Sequence, residues 1–274
     1  MFIHFSVREC ELALNMVSGI GKKRYAKLIK HFGDAKSVFN ADVFEISMID
    51  DIGKVTARSI KDFDVNKELE LELELIQKNN IKTIHLYDED YPKNLKTIYD
   101  PPPVLYVKGE FQEADEISIA VIGTRVPTQY GKLVAKKLTK ELVSAGFVIV
   151  SGLARGIDTI AHKAALENGG RTLSVLGSGI LNVYPPENLG LAKQISETGV
   201  LISEFNLLKK PDKNNFPSRN RIVAGLTQGT LVVEAPEKSG ALITADFAME
   251  YGREVFAVPG PIHSPKSRGG NTLI

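Results

Sequence analysis

From residue 12 to residue 63 apolar positions recur at three- and four-residue spacing, and no stretch there alternates apolar with polar. That period predicts helices throughout. The run from Lys67 to Leu75 does alternate, but it is built of Glu and Leu, both good helix formers, between helical flanks. It reads as a further helix with an acidic, solvated face. Ile81 to Tyr87 reads as a strand. The prolines at 92 and 101–103 lack the N–H that a ladder needs, so the segment around them reads as an irregular connection between domains.

From about residue 104 the pattern changes to short apolar runs alternating with amphipathic stretches. The runs predict strands at 104–107, 118–122, 147–150, 172–176, 200–203, 230–234 and 254–258. Helices are predicted at 128–145, 156–168, 187–197, 218–227 and 240–251. Nearly continuous apolar strands separated by helices imply a mostly parallel sheet covered on both faces, a Rossmann-like doubly wound α/β fold. The chain therefore divides into a small all-α domain over 1–80, a connecting strand and Pro-rich segment over 81–110, and an α/β domain over 111–274. Ligands of such sheets bind beyond the carboxyl ends of the strands.

Inside the helical domain Gly19-Ile20-Gly21 followed by Lys22 lines up with Asp51-Ile52-Gly53 followed by Lys54. This weak repeat resembles a tandem helix-hairpin-helix. In that family the backbone amides of the Gly-apolar-Gly turn can face a phosphate at a helix N-terminus. Asp51 in the place of Gly19 weakens such a cradle in the second copy, which favours a packing or partner-binding role.

Composition bounds the function. The 274 residues are 43% hydrophobic and 24% charged, enough apolar content to build a core, which excludes a disordered chain. A lone cysteine, Cys10, excludes a disulfide framework or a multi-cysteine metal site and suits the cytoplasm. No basic leader precedes a long apolar run, and no window approaches the length of a spanning helix, so neither export nor a membrane is expected. The formal net charge of +1 gives no global signature of a polyanion partner. It is unevenly spread, however. Between Lys209 and Arg221 five basic residues face one acidic, a local +4.

The loops after consecutive predicted strands are Gly123-Thr124-Arg125, Ser151-Gly152-Leu153-Ala154-Arg155-Gly156 and Gly177-Ser178-Gly179. Glycine lets backbone approach a ligand, and helix N-termini add N–H donors, a combination that favours phosphate. No complete dinucleotide fingerprint or Walker motif accompanies them. Within the basic loop Phe216 lies among Lys213, Arg219 and Arg221, an arrangement suited to stacking a base while cations hold phosphates. The plainer reading tucks Phe216 into the core and uses Arg219 and Arg221 to brace the following helix. Catalytic constellations are poorly supported, and no cofactor or metal is expected: His4, His31, His85, His162 and His263 lack ligand spacing, and no nucleophile elbow occurs. Asp158 and His162 read as an intrahelical pair or a polar face. Glu204 and Glu234, at strand ends, each read as brackets for an arginine of the basic loop.

In this order the motifs resemble the DNA-processing protein A family (DprA, or Smf), bacterial recombination mediators of natural transformation. The resemblance runs through Tyr91-Pro92, Asp100-Pro101-Pro102, the stretch 120–125, the stretch 151–158 with His162, Tyr184-Pro185, Ser203-Glu204, the stretch 216–221, the stretch 239–244 and Val258-Pro259-Gly260. It implies a sterile-alpha-motif-like helical domain fused to an extended Rossmann-like domain. It also implies a homodimer that binds single-stranded DNA and places RecA on it, displacing or working beside single-strand-binding protein, with no established catalysis. Carried onto this chain, the family's DNA pocket falls on Arg125, Lys213 and Phe216 with Arg219 and Arg221 beside them. Backbone at Gly123, Thr124, Gly152, Gly177 and Ser178 completes the cradle. Family members continue beyond Ile274, so a tail is expected to be missing. The self-association and RecA surfaces are expected in the last part of the Rossmann-like domain.

Two other readings compete. Gly229-Thr230-Leu231-Val232-Val233-Glu234 resembles the Gly-Thr-x-x-Glu ending of the lysine-decarboxylase-like (LOG) enzymes, which implies a nucleotide-binding protein or nucleotide phosphohydrolase. Leu226-Thr227-Gln228 stands where those enzymes carry Pro-Gly-Gly. The helical module could instead be a protein-docking domain.

Overall fold

The computed structural model describes residues 5–274. The chain divides into two compact units, one taking Met1–Leu86 with Asp100–Leu105 and the other Tyr87–Tyr99 with Tyr106–Ile274. The Pro-rich connection is thus shared between them.

The first unit carries α1 (Val7–Met16), α2 (Lys22–Phe32), α3 (Ala35–Asn40), α4 (Val43–Ser47), α5 (Lys54–Lys61), α6 (Val65–Lys78) and strand β1 (Lys82–His85). A capping box starts α1: the Ser6 amide donates to Glu9 Oε2 at 2.7 Å and the Glu9 amide to Ser6 Oγ at 3.2 Å. Leu14, Leu28, Phe39, Ile46, Ile52, Ile60 and Leu69 are buried from these helices and their turns. Both hairpins have the same backbone. Gly19 has φ +82° and Asp51 has φ +66°, so aspartate tolerates the left-handed turn that the first copy builds with glycine. Arg24 donates to Gly19 O at 2.8 Å and to Asp51 O at 2.9 Å, and Lys27 pairs with the carboxylates of Asp50 and Asp51. The nearby cations are therefore engaged by the turns themselves. The helix predicted around Lys67–Leu75 forms as α6, but its acidic face is not wholly solvated, because Glu72 is buried.

The second unit adds α7 (Lys93–Lys96), β3 (Ser118–Ile122), α8 (Gln129–Ser144), β4 (Val148–Ser151), α9 (Ile157–Glu167), β5 (Thr172–Val175), α10 (Leu189–Thr198), β6 (Val200–Ser203), α11 (Asn215–Leu226), β7 (Gly229–Val232), α12 (Gly240–Glu250), β8 (Glu254–Ala257) and α13 (Arg268–Asn271). Strand β2 (Val104–Gly109) begins in the first unit and ends in this one. Within this unit the sheet order is β2-β6-β5-β4-β3-β7-β8. Strand β2 runs antiparallel to β6, while β6 through β8 are parallel. Every residue of β3, β4 and β5 is buried. Helices α8 and α9 cover one face through Ala135, Ile157, Ala161 and Ala165 against Ile119, Val121 and Ile149. Helix α11, buried from Ile222 to Leu226, packs on the same three strands and on α12. Coverage of both faces is what makes the strands read as unbroken apolar runs.

From β3 the chain moves outward through β4, β5 and β6, then returns to place β7 and β8 on the other side of β3. This reversal puts the switch point at the carboxyl ends of β3 and β7, where an open α/β sheet receives its ligand. Helix α11 starts three residues earlier than the periodicity predicts. An Asx turn at Asp212, accepting from the Asn214 amide at 2.8 Å, initiates it, and Pro217 is tolerated in the first turn where its missing N–H has no partner to lose. Phe216 thereby sits on a helix. Among the described residues no helix is long and apolar enough to cross a membrane.

Candidate nucleic-acid interface

A cleft of about 450 Å³ opens at the switch point. Gly123, Thr124 and Arg125 wall it after β3, and Gly152 and Ala154 after β4. Lys213 and the first turns of α11, with Phe216, Arg219 and Asn220, form a third side, and Lys238, Ser239 and Gly240 at the start of α12 a fourth. The positive ends of the two helices and the cations around them favour an anion.

The Gly123–Arg125 turn is held from several directions. Thr124 donates its amide to Glu234 O at 2.7 Å, and its own carbonyl accepts from Ile157 N at 3.2 Å. Gly156, at φ +80°, lies so close that an added Cβ would come within 2.3 Å of Thr124 O. Only glycine fits there. Glu234 accepts from the Thr128 amide and hydroxyl, each at 2.8 Å, and so fixes the far end of the same loop. It brackets this loop and the start of α8, not an arginine of the basic loop as its position after a strand suggested. The loop so fastened presents Arg125 to solvent with its guanidinium carbon 5.3 Å from the centre of the Phe216 ring. Phe216 rests on Gly177, where a Cβ would stand 2.6 Å from the ring, and Tyr184 lies beside it with centroids 6.0 Å apart.

Beneath the cleft is a buried polar cluster. Arg219, 4% exposed, donates to Gly152 O at 2.5 Å and to Val175 O, tying the ends of β4 and β5 together. Burial holds its pKa down to about 10, with Asp158 acting in the opposite sense and Arg125 adding to the fall. Asp158 accepts the amides of Gly152 (3.1 Å) and Ala154 (3.3 Å); burial pushes its carboxyl up while Arg219 and these amides pull it down. His162 lies one turn further along α9. Burial, reinforced by Arg219, drives its pKa down to about 3, so the ring is neutral. The Thr172 hydroxyl donates to Ile149 O at 2.8 Å, which leaves its oxygen to accept from His162 Nδ1 at 2.7 Å. Asp158 and His162 are thus two separate buried ties in place of an intrahelical pair.

The structure gathers Gly123, Thr124, Arg125, Gly152, Lys213, Phe216 and Arg219 at one cleft, with Gly177 directly under the aromatic ring. Two residues, one placed beside the pocket and one in its cradle from sequence, do not line the cleft. Ser178 is buried, donates its hydroxyl to Asn182 O at 2.7 Å and accepts at its carbonyl from Ser203, so it shapes the turn below Phe216. Arg221 is 1% exposed and its guanidinium pairs with Glu204, whose other oxygen accepts from Ser218 at 2.9 Å. It braces α11 and offers nothing to solvent. Glu204 does bracket an arginine, as its place at a strand end suggested. Lys238 and Ser239 line the cleft without having been assigned to it from sequence. A serine cap before an apolar helix, next to a lysine after β7, was the available signal. Among the described residues no cluster of three or more His, Cys, Asp or Glu is placed to hold a metal ion; His4 lies outside them.

The whole chain has relatives. A family model described as DNA recombination-mediator protein A matches residues 82–274, and one described as a SAM-like helix-hairpin-helix tandem matches residues 11–63. Protein Smf of Synechocystis sp. is 39% identical over 267 residues, spanning 96% of this chain and 67% of that protein. The X-ray structure of DNA processing protein A from Streptococcus pneumoniae is similar with a TM-score of 0.83 at 34% identity, over 97% of this chain and 91% of that one. A structure of DNA processing protein A from Helicobacter pylori, described for its single-stranded DNA binding mode, is similar over 70% of this chain and 86% of that one, with a TM-score of 0.64 and 34% identity. With the model match covering well over half of the sequence and the Streptococcus fold followed through both units, the chain belongs to the DNA recombination-mediator protein A family.

Proposed function

We propose that this protein binds single-stranded DNA as a recombination mediator, loads RecA onto it, and acts as a cytoplasmic homodimer without catalysing a reaction. The observation that carries the reading is an exposed guanidinium stacked on a half-buried aromatic ring inside a cleft walled by strand-end glycines and two helix starts. Arg125, Lys213 and Lys238 would each neutralise a phosphate, and Phe216 would stack a base without demanding a sequence. Arg219, already bonded to two carbonyls, would keep the cradle in shape and add positive potential from below. A duplex hides its base faces, so the ring favours a single strand.

A binding role is supported by what the carboxylates near the strand ends do. Glu204, Glu234 and Asp158 are each committed to a structural partner. The single-stranded DNA binding described for the Helicobacter relative points the same way. Titration of labelled oligothymidylate and of a duplex of equal length at several salt concentrations tests the core of the proposal. Preference for the single strand, with affinity falling as salt rises, is expected; equal affinity for both would refute it. RecA filament formation on oligonucleotide coated with single-strand-binding protein, with and without this protein, tests loading, and sedimentation tests the dimer.

A further inference from the structure

Phe216 is one member of a longer row. Tyr184 lies 6.0 Å from it, centroid to centroid, at an interplanar angle of 45°, and the guanidinium of Arg155 sits 5.6 Å from the centre of the Tyr184 ring. With Arg125 over Phe216 at 5.3 Å, the order is cation, ring, ring, cation. Arg155, Tyr184 and Pro185 meet Arg125, Gly152 and Phe216 around one small hollow that adjoins the main cleft. The row belongs to no core. Tyr184 is partly exposed, and the Arg155 side chain is half exposed.

We infer that Tyr184 and Arg155 form a second nucleotide subsite, in which Tyr184 stacks the base next to the one on Phe216 and Arg155 takes a second phosphate. This rests on the single-stranded DNA reading above. The two rings are farther apart than the roughly 3.4 Å advance per phosphate along one strand of a duplex, which suits a strand whose bases are unstacked and splayed onto separate rings. Each ring has its own cation, so a dinucleotide step finds one aromatic face and one guanidinium per nucleotide. Arg155 is presently held by Glu187, through Nε to Oε1 at 2.5 Å and Nη2 to Oε2 at 3.1 Å. That carboxylate presents the same fork geometry as a phosphate. The pair lies at the surface, where such bonds contribute little, so an incoming phosphate can replace Glu187 at small cost. Glu187 therefore acts as a placeholder that lowers affinity at this subsite and keeps Arg155 in position.

The chain contains no tryptophan, so Phe216→Trp and Tyr184→Trp each install one fluorescent reporter at one subsite of the whole protein. Quenching of both reporters by an eight-nucleotide oligothymidylate is expected. Tyr184→Ala should weaken that oligonucleotide about tenfold while Tyr184→Phe, which keeps the ring, binds as the parent does. Arg155→Ala should lower the slope of log affinity against log salt by about 0.7, and Glu187→Gln should tighten binding about threefold at low salt. Quenching of the Phe216→Trp reporter alone, together with parental affinity in Tyr184→Ala and an unchanged slope in Arg155→Ala, overturns the second subsite and leaves the proposed function standing. Silence of both reporters overturns both. Should Tyr184→Ala fail to fold, as judged by its melting curve, the Tyr184→Trp reporter and the Arg155→Ala slope decide the matter.

Discussion

Arg125 and Arg221 flank Phe216 in function space as read from sequence, yet one is exposed over the ring and the other is sealed against Glu204, and replacing each should give opposite results. Arg125→Ala removes one solvent-facing cation and no buried partner. If that cation neutralises one phosphate of a single strand, the salt slope falls by about 0.7, so raising salt fourfold from 50 to 200 mM should narrow the affinity gap between parent and variant by about 2.5-fold. Thermal stability should move little. Arg221→Met instead leaves the largely buried Glu204 facing an apolar chain where the guanidinium stood. Breaking a buried pair from one side costs about 3 to 5 kcal/mol, which in a chain of this size lowers Tm by roughly 10 °C. Below that temperature the folded variant should retain the parental salt slope. The assay is fluorescence anisotropy of a labelled oligothymidylate across a salt series, paired with calorimetry. A parental slope in Arg125→Ala, or a reduced slope in a folded Arg221→Met, would show that the assignment of exposed and buried arginines to binding and bracing is wrong.

Three further outcomes follow from the site. Phe216→Ala should weaken single-stranded DNA by about 1 to 3 kcal/mol with an unchanged salt slope, since a base contact is lost and no phosphate contact is; anisotropy at two salt concentrations checks it. Gly156→Ala places a methyl 2.3 Å from Thr124 O at a positive φ, so it should displace the Arg125 turn, lose at least 1 to 3 kcal/mol of stability in urea titration, and weaken binding despite leaving every cation in place. His162 titrates at about 3 in the folded protein against about 6.5 unfolded, so below pH 6.5 the unfolded chain takes up a proton that the fold refuses. Its contribution to stability is lost as pH falls, by roughly 2 kcal/mol at pH 5 relative to pH 7, and His162→Gln should remove that increment from the difference between urea titrations at the two pH values.

The strands were legible because both faces of the sheet are covered, which turns β3, β4 and β5 into unbroken apolar runs bounded by glycine. Their carboxyl-end loops followed from the same pattern, and with them the position of Arg125 and Gly152. The start of α11 was less visible, because it depends on an Asx turn at Asp212 inside a charged stretch that reads as loop. Burial of individual cations was not legible at all. Arg219, Arg221 and Arg125 are the same residue type assigned from sequence to one pocket, and only the packing distinguishes a guanidinium bonded to two strand-end carbonyls from one paired with Glu204 and one facing solvent. The doubled aromatic row was hidden for a related reason: Tyr184 follows β5 and Phe216 opens α11, and a local pattern does not report that two such loops meet.

That difference in burial also explains why a nearly neutral chain can offer a polyanion site. Of the five basic residues between Lys209 and Arg221, the structure withdraws Arg219 and Arg221 into the protein, so the local +4 overstates the charge that loop presents to solvent. The deficit is made up by residues distant in sequence. Arg125 arrives after β3, and Lys238 arrives before α12, both exposed at the same cleft. Buried Arg219 still contributes potential from below, where little water screens it, and Asp158 beneath it keeps that charge tolerable. Charge at this site is therefore assembled by the switch point of the sheet from three separate loops, and a count along the chain underestimates it in two places while overestimating it in one.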